Sequence, residues 1–120
     1  MNIYPGVLDS TLSPHALEAT LDIRETLSCF EGHFSGHPIA PGVAQISWVV
    51  HFAQEFLALT APVIAVERLK FTQVIHPKQS IRLRLQYQPE KNAVQFWFDA
   101  PSASDSKIVF SQGWLIYEAQ

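Results

Sequence analysis

Phe30-Glu31-Gly32-His33-Phe34-Ser35-Gly36-His37-Pro38-Ile39-Ala40-Pro41-Gly42-Val43 runs directly into an apolar stretch that ends at Phe56. From Gly32 to Val43 the segment holds three Gly, two Pro and two His. Pro fixes φ and Gly frees it, so this half is neither regular helix nor regular strand. The half that follows has no Gly or Pro and reads as helix. A rigid loop would hold an imidazole in place. The helix start would offer unpaired backbone N–H groups to a developing oxyanion.

Outward from this junction, Val43 to Leu59 predicts a helix. Ile46, Val49, Val50, Ala53 and Leu57 line one side, widened by Trp48, Phe52, Phe56 and Leu59. Ser47, His51, Gln54 and Glu55 make a narrow polar stripe. A helix that is apolar over most of its circumference is a buried one, and in a short mixed chain the cover for it is a sheet. Upstream, Leu17, Ala19, Leu21 and Ile23 alternate with polar residues, the period of a half-buried strand. Residues 1–15, with Pro5, Gly6 and Pro14, read as an irregular lead-in with room for one short strand.

Downstream, Val63–Phe71 reads as strand and 74–79 as a turn. Ile81, Leu83, Leu85 and Tyr87 form one arm of a hairpin, and Val94, Phe96 and Phe98 form the other, joined through Pro89-Glu90-Lys91-Asn92. Residues 101–106 read as a polar loop. Residues 108–118 are the last strand, in which Gly113 predicts a bulge or bend. One long helix and one antiparallel sheet make a two-layer α+β domain spanning residues 1–120.

Composition narrows the function. The chain of 120 residues is one domain, 48% hydrophobic and only 16% charged. That charge share is below the usual quarter, which predicts apolar surface hidden in an oligomer. A net charge of −3 argues against nucleic acid as a partner. The single cysteine, Cys29, excludes an internal disulfide and suits a reducing compartment. No signal peptide and no membrane span are read from the sequence, so a cytoplasmic location is expected. His33 and His37 are four apart, but Gly36 and Pro38 deny them the helical geometry of a zinc pair, and no third ligand has suitable spacing. Neither a metal nor a cofactor is expected.

The run Gly32-His33-Phe34-x-Gly36-x-Pro38-x-x-Pro41-Gly42-Val43 resembles the active-site loop of the FabZ/FabA-type 3-hydroxyacyl-ACP dehydratases, which have the hot-dog fold. Phe71 followed by Val74-Ile75-His76-Pro77 is similar to that family's strand and turn, although Lys78-Gln79 stands where the family has Gly-Asp. The resemblance implies an antiparallel sheet wrapped around one central helix. It implies an acyl-carrier-protein or CoA thioester as substrate, and a dimer formed through the sheet edge and loop, homomeric or with another hot-dog protein.

The resemblance also assigns roles. His33 would take the proton α to the thioester carbonyl, a task suited to an imidazole with an ordinary pKa of about 6.5. Gly42 and Val43 would supply the amides for the thioester oxygen. Phe34, Pro41 and Trp48 would border the acyl chain. The family's carboxylate, which protonates the departing hydroxyl, falls four residues past Val43, where this chain has Ser47. His51, one turn on, lies on the same face and is a candidate acid. Glu55 is about 12 Å from Ser47 along the axis, too far to substitute. Arg68, Lys70, Lys78, Arg82 and Arg84 could meet an acidic carrier protein. The short dehydratase-like proteins of polyene and specialised fatty-acid pathways share the Pro-Gly-Val-x-Gln run followed by Trp. Two other readings stay open: a non-catalytic partner subunit of an active dehydratase, for which Ser47 speaks, and a hot-dog acyl thioesterase.

Overall fold

The computed structural model describes residues 3–30, 38–101 and 108–119. Six strands and one long helix make up the fold: β1 (Gly6–Ser13), β2 (Ala16–Ile23), α1 (Gly42–Leu57), β3 (Val63–Phe71), β4 (Gln79–Gln88), β5 (Ala93–Asp99) and β6 (Val109–Tyr117). The strands form one antiparallel sheet in the order β1-β2-β4-β5-β6-β3. This is the hot-dog architecture, a curved antiparallel sheet packed against a single helix.

Strand parity decides what faces the helix. Ile81, Leu83 and Leu85 of β4, Val94, Phe96 and Phe98 of β5, and Leu115 of β6 are fully or almost fully buried. They pack, with Leu17, Ala19, Leu21 and Ile23 of β2, around Trp48, Val49, Phe52 and Ala53 of α1. Each fully buried aliphatic or Phe side chain contributes about 1.5–3 kcal/mol relative to exposure. Burial on this scale outweighs the modest helix propensity of Val49 and Phe52. The predicted helix face is therefore right in kind but turned: Ile46 and Val50 sit at its margin, and Gln45 joins its centre.

Three expectations need correction. The lead-in is not irregular, because β1 is a full eight-residue strand paired along β2. The helix begins at Gly42 and ends at Leu57, where Ala58 turns left-handed (φ 56°) and its N–H bonds the Ala53 carbonyl. The bulge at Gly113 is not in its own strand, β6, whose irregularity lies at Phe110. Gly113 pairs regularly with Phe96, and the extra residue lies opposite, in β3, where Arg68 takes φ 52° between Glu67 and Lys70. A side chain at Gly113 would press on Leu69 and Phe96, both 3.2 Å from its Cβ position.

Candidate active site

The helix start is held by its approach loop. The Ala40 N–H donates to the Ile75 carbonyl (2.8 Å), and His76 Nδ1 donates to the Pro38 carbonyl (3.3 Å). From within the helix, Gln45 Nε2 donates to the Ala40 carbonyl (3.0 Å). Gln45 is only 3% exposed. Its Oε1 accepts from Ser111 Oγ at 2.7 Å, which ties the helix start to β6. One buried amide thus satisfies two other buried polar groups and fixes three chain segments. Leaving such a group unpaired costs about 1–3 kcal/mol.

Pro41 caps the helix in extended geometry (φ −67°, ψ 154°), with no side chain bonding the first amides. Its carbonyl takes the N–H groups of Ala44 and Gln45 (3.0 and 3.2 Å). Among the described residues the N–H groups of Gly42 and Val43 have no acceptor. Beside them lies a cavity of about 240 Å³ bordered by Ala40, Pro41, Gly42, Gln45, Phe71 and Val74. The Phe71 ring lies against Gly42 so closely that a Cβ there would sit 2.5 Å from its Cζ. Glycine lets the ring approach this closely, and its backbone angle is an ordinary one.

The remaining predicted residues divide. His33, Phe34 and His37 lie outside the described residues. Pro41 and Gly42 border the cavity, whereas Val43, 77% exposed, points away from the core. Ser47 is exposed and His51 half-buried. Among the described residues no hydrogen bond joins Ser47 to His51. The His51 imidazole lies flat on the Tyr4 ring (3.7 Å between centroids, 5° between planes), with Phe52 edge-on at 5.0 Å. Trp48 is inside the core, edge-on to Phe98, with its indole N–H donating to the Ile3 carbonyl (3.2 Å). Residues 3 and 4 therefore cross the helix above Trp48 and His51. Burial pushes the Cys29 thiol above its ordinary range, which makes it a poor nucleophile.

Gln45, Phe71 and His76 shape the site, and none of them was assigned a site role from the sequence. Gln45 carried a usable signal: it stands at four-residue spacing from Val49 and Ala53, in line with the buried stripe. Among the described residues no group of His, Cys, Asp and Glu is arranged to hold a metal. No helix among them is long and apolar enough to cross a membrane.

Residues 9–113 match the model of the ApeI-like family, described as ApeI dehydratase. A chain of the dehydratase heterocomplex ApeI:P from Xenorhabdus doucetiae is 31% identical and superposes with a TM-score of 0.82, over 93% of this chain and 96% of that one. An uncharacterized protein from Erwinia carotovora subsp. atroseptica is also 31% identical, with a TM-score of 0.80 over 95% of each chain. The 3-hydroxyacyl-[acyl-carrier-protein] dehydratase FabZ of Pediococcus pentosaceus is 29% identical over 91 residues, 70% of this chain and 61% of that protein. The chain spans less than two thirds of the length of the curated relatives it matches.

Proposed function

The chain belongs to the ApeI-like dehydratase family, and on that premise we propose that it removes water from a 3-hydroxyacyl thioester. The thioester is carried on an acyl carrier protein, in a fatty-acid or polyene pathway. The observation that carries this reading is the uncapped helix start, Gly42 and Val43, set beside the cavity under Pro41, Gln45 and Phe71. The thioester oxygen accepts from those amides, which stabilises the enolate as charge develops. His33 removes the α-proton. The Cα–H and Cβ–O bonds break, the Cα=Cβ bond forms, and the hydroxyl leaves as water with a proton from an acid. Ser47 stands where the resembling dehydratases have that acid. His51, one turn further, is the donor in this reading. A positioned acid is worth about 10²–10⁴ in rate, so the enzyme is a slow one if His51 or a Ser47-held water substitutes imperfectly.

The active unit is a dimer built on the free edge of β3. Its Ile64, Val66, Leu69 and Phe71, with Val43 and Val74 nearby, are exposed apolar residues that no other described residue covers. One observation favours a second reading, a partner subunit without activity of its own: Ser47 in place of a carboxylate, in a chain similar to one from a dehydratase heterocomplex.

The test is an assay of the purified protein with a 3-hydroxyacyl carrier substrate, reading the 2-enoyl product, for wild type, His33→Ala, His51→Ala and Ser47→Glu. Turnover lost in both His variants supports His33 as base and His51 as acid. Turnover lost in His33→Ala alone assigns the acid to a water at Ser47. Activity only in Ser47→Glu favours the partner-subunit reading. Release of free acid with no enoyl product would overturn both in favour of a thioesterase.

A further inference from the structure

The segment ahead of β1 is fastened to the helix and to the sheet at once. Trp48 is buried, and a buried indole N–H needs an acceptor. The Ile3 carbonyl is that acceptor, at 3.2 Å. Pro5 is buried as well, and it disfavours the α region for Tyr4 before it. Gly6 then enters β1 opposite Asp22. A Cβ there would lie 3.1 Å from the Arg24 guanidinium, which itself bonds Asp22 at 2.9 Å. Residues 3–6 are thus strapped between the helix and the β1–β2 pair, with Tyr4 inside the span.

The strap lays Tyr4 on His51. The ring centroids are 3.7 Å apart and the planes 5° from parallel, which is van der Waals contact across the imidazole face. Phe52 closes on the same ring edge-on at 5.0 Å. Stacking restrains a ring without using its nitrogens. A working imidazole is more often oriented by a hydrogen bond from one nitrogen to a carboxylate or a backbone carbonyl. Among the described residues neither nitrogen of His51 has such a partner. Glu55, one turn further along the helix, makes no ion pair with it within 4.0 Å.

We propose that Tyr4 is a positioning residue: its ring, strapped between Trp48 and β1, holds the His51 imidazole by its face and leaves both ring nitrogens open for proton transfer. The proposal rests on the reading of His51 as the acid. In that reaction one nitrogen gives its proton to the departing hydroxyl, which leaves as water, and the ring takes a proton back from solvent. With no hydrogen bond to set its orientation, the imidazole depends on its two aromatic neighbours for its aim. A misplacement of about 1 Å can cost about 100-fold in rate. Core packing does not account for the place of the Tyr4 ring, which is 37% exposed and outside the buried cluster.

The experiment is a double-mutant cycle on the intact chain with the 3-hydroxyacyl carrier substrate, run beside NMR of the imidazole resonances. Tyr4→Leu should lower kcat by about 10–100-fold with KM little changed. Tyr4→Phe, which keeps the ring, should restore most of that loss. In a His51→Ala background Tyr4→Leu should cost nothing more, because Tyr4 acts only through the imidazole. An equal loss in both backgrounds overturns the proposal, as does full activity in Tyr4→Leu. Thermal melts should change little, and a large drop in Tyr4→Leu would make Tyr4 a structural residue and overturn the proposal. The His51 resonance, recognised by its absence in His51→Ala, should lie upfield under the Tyr4 ring current. It should stay there in Tyr4→Phe and move downfield in Tyr4→Leu. A resonance unmoved by Tyr4→Leu overturns the proposal without any turnover being measured. If wild type is inactive, or His51→Ala is as active as wild type, the reading of His51 as the acid fails, and the resonance alone decides whether Tyr4 holds the ring.

Discussion

Gln45 is the residue on which the helix start depends most directly. Replacing it with Ala leaves the Ser111 hydroxyl and the Ala40 carbonyl buried without partners, so we expect a loss of about 2–4 kcal/mol in urea unfolding. Ser111→Ala should cost less, and the double variant should show coupling of about 1 kcal/mol or more. Tyr117 offers the opposite case. Its hydroxyl is buried with no hydrogen-bond partner among the described residues. Burial, with a smaller contribution from Tyr87, pushes the phenol up to about 12 from an ordinary 10.0. The folded state therefore holds this proton more tightly than the unfolded chain does. Its contribution is complete below pH 10 and is lost as the pH rises through about 12. Tyr117→Phe should be neutral to stabilising by about 1 kcal/mol at pH 7. It should also flatten the alkaline fall in stability between those limits, as read by unfolding at several pH values.

At the scale of elements, the ends of the helix differ. The start is a glycine on which the Phe71 ring lies closely, whereas the end places Ala58 in the left-handed region. Ala58→Gly should raise stability by about 1 kcal/mol, which a thermal melt would detect. The elements also differ in how plainly the sequence announces them. β4 and β5 were legible because each has one buried and one wet face, so hydrophobicity alternates. β1 was not, because all of its residues after Gly6 are exposed and none of its faces is packed. It is a strand by virtue of pairing with β2, which no local pattern records. The β3 bulge was hidden for a similar reason: it exists only against β6. Gly113 marked the place but not the strand. In the helix, the polar stripe of Ser47, Gln54 and Glu55 read correctly, while Gln45 read as one more polar residue. A buried glutamine looks like an exposed one until its partners, Ala40 and Ser111, are known.

For the whole molecule, the sheet has two edges with different characters. β1 exposes Val7, Leu8 and Leu12, whereas β3 exposes Ile64, Val66, Leu69 and Phe71, with Val43 also exposed. The low charged fraction led to the expectation of an oligomer, and in the proposed dimer the β3 edge is the one that meets its copy. Sedimentation should give a dimer for wild type. Ile64→Lys and Val66→Lys should shift it to monomer while leaving the fold intact, since neither side chain belongs to the buried core. A dimer unchanged by both would place the interface elsewhere.

The strand order has a consequence for synthesis. β3 pairs within the sheet only with β6, which ends roughly 45 residues later. At about 5–20 residues per second on the ribosome, β3 spends roughly 2–9 s as an apolar strand with no neighbour. During those seconds it is an apolar segment of the nascent chain open to capture by a chaperone. Any nascent chain cut short before β6 would keep β3 in that state for good.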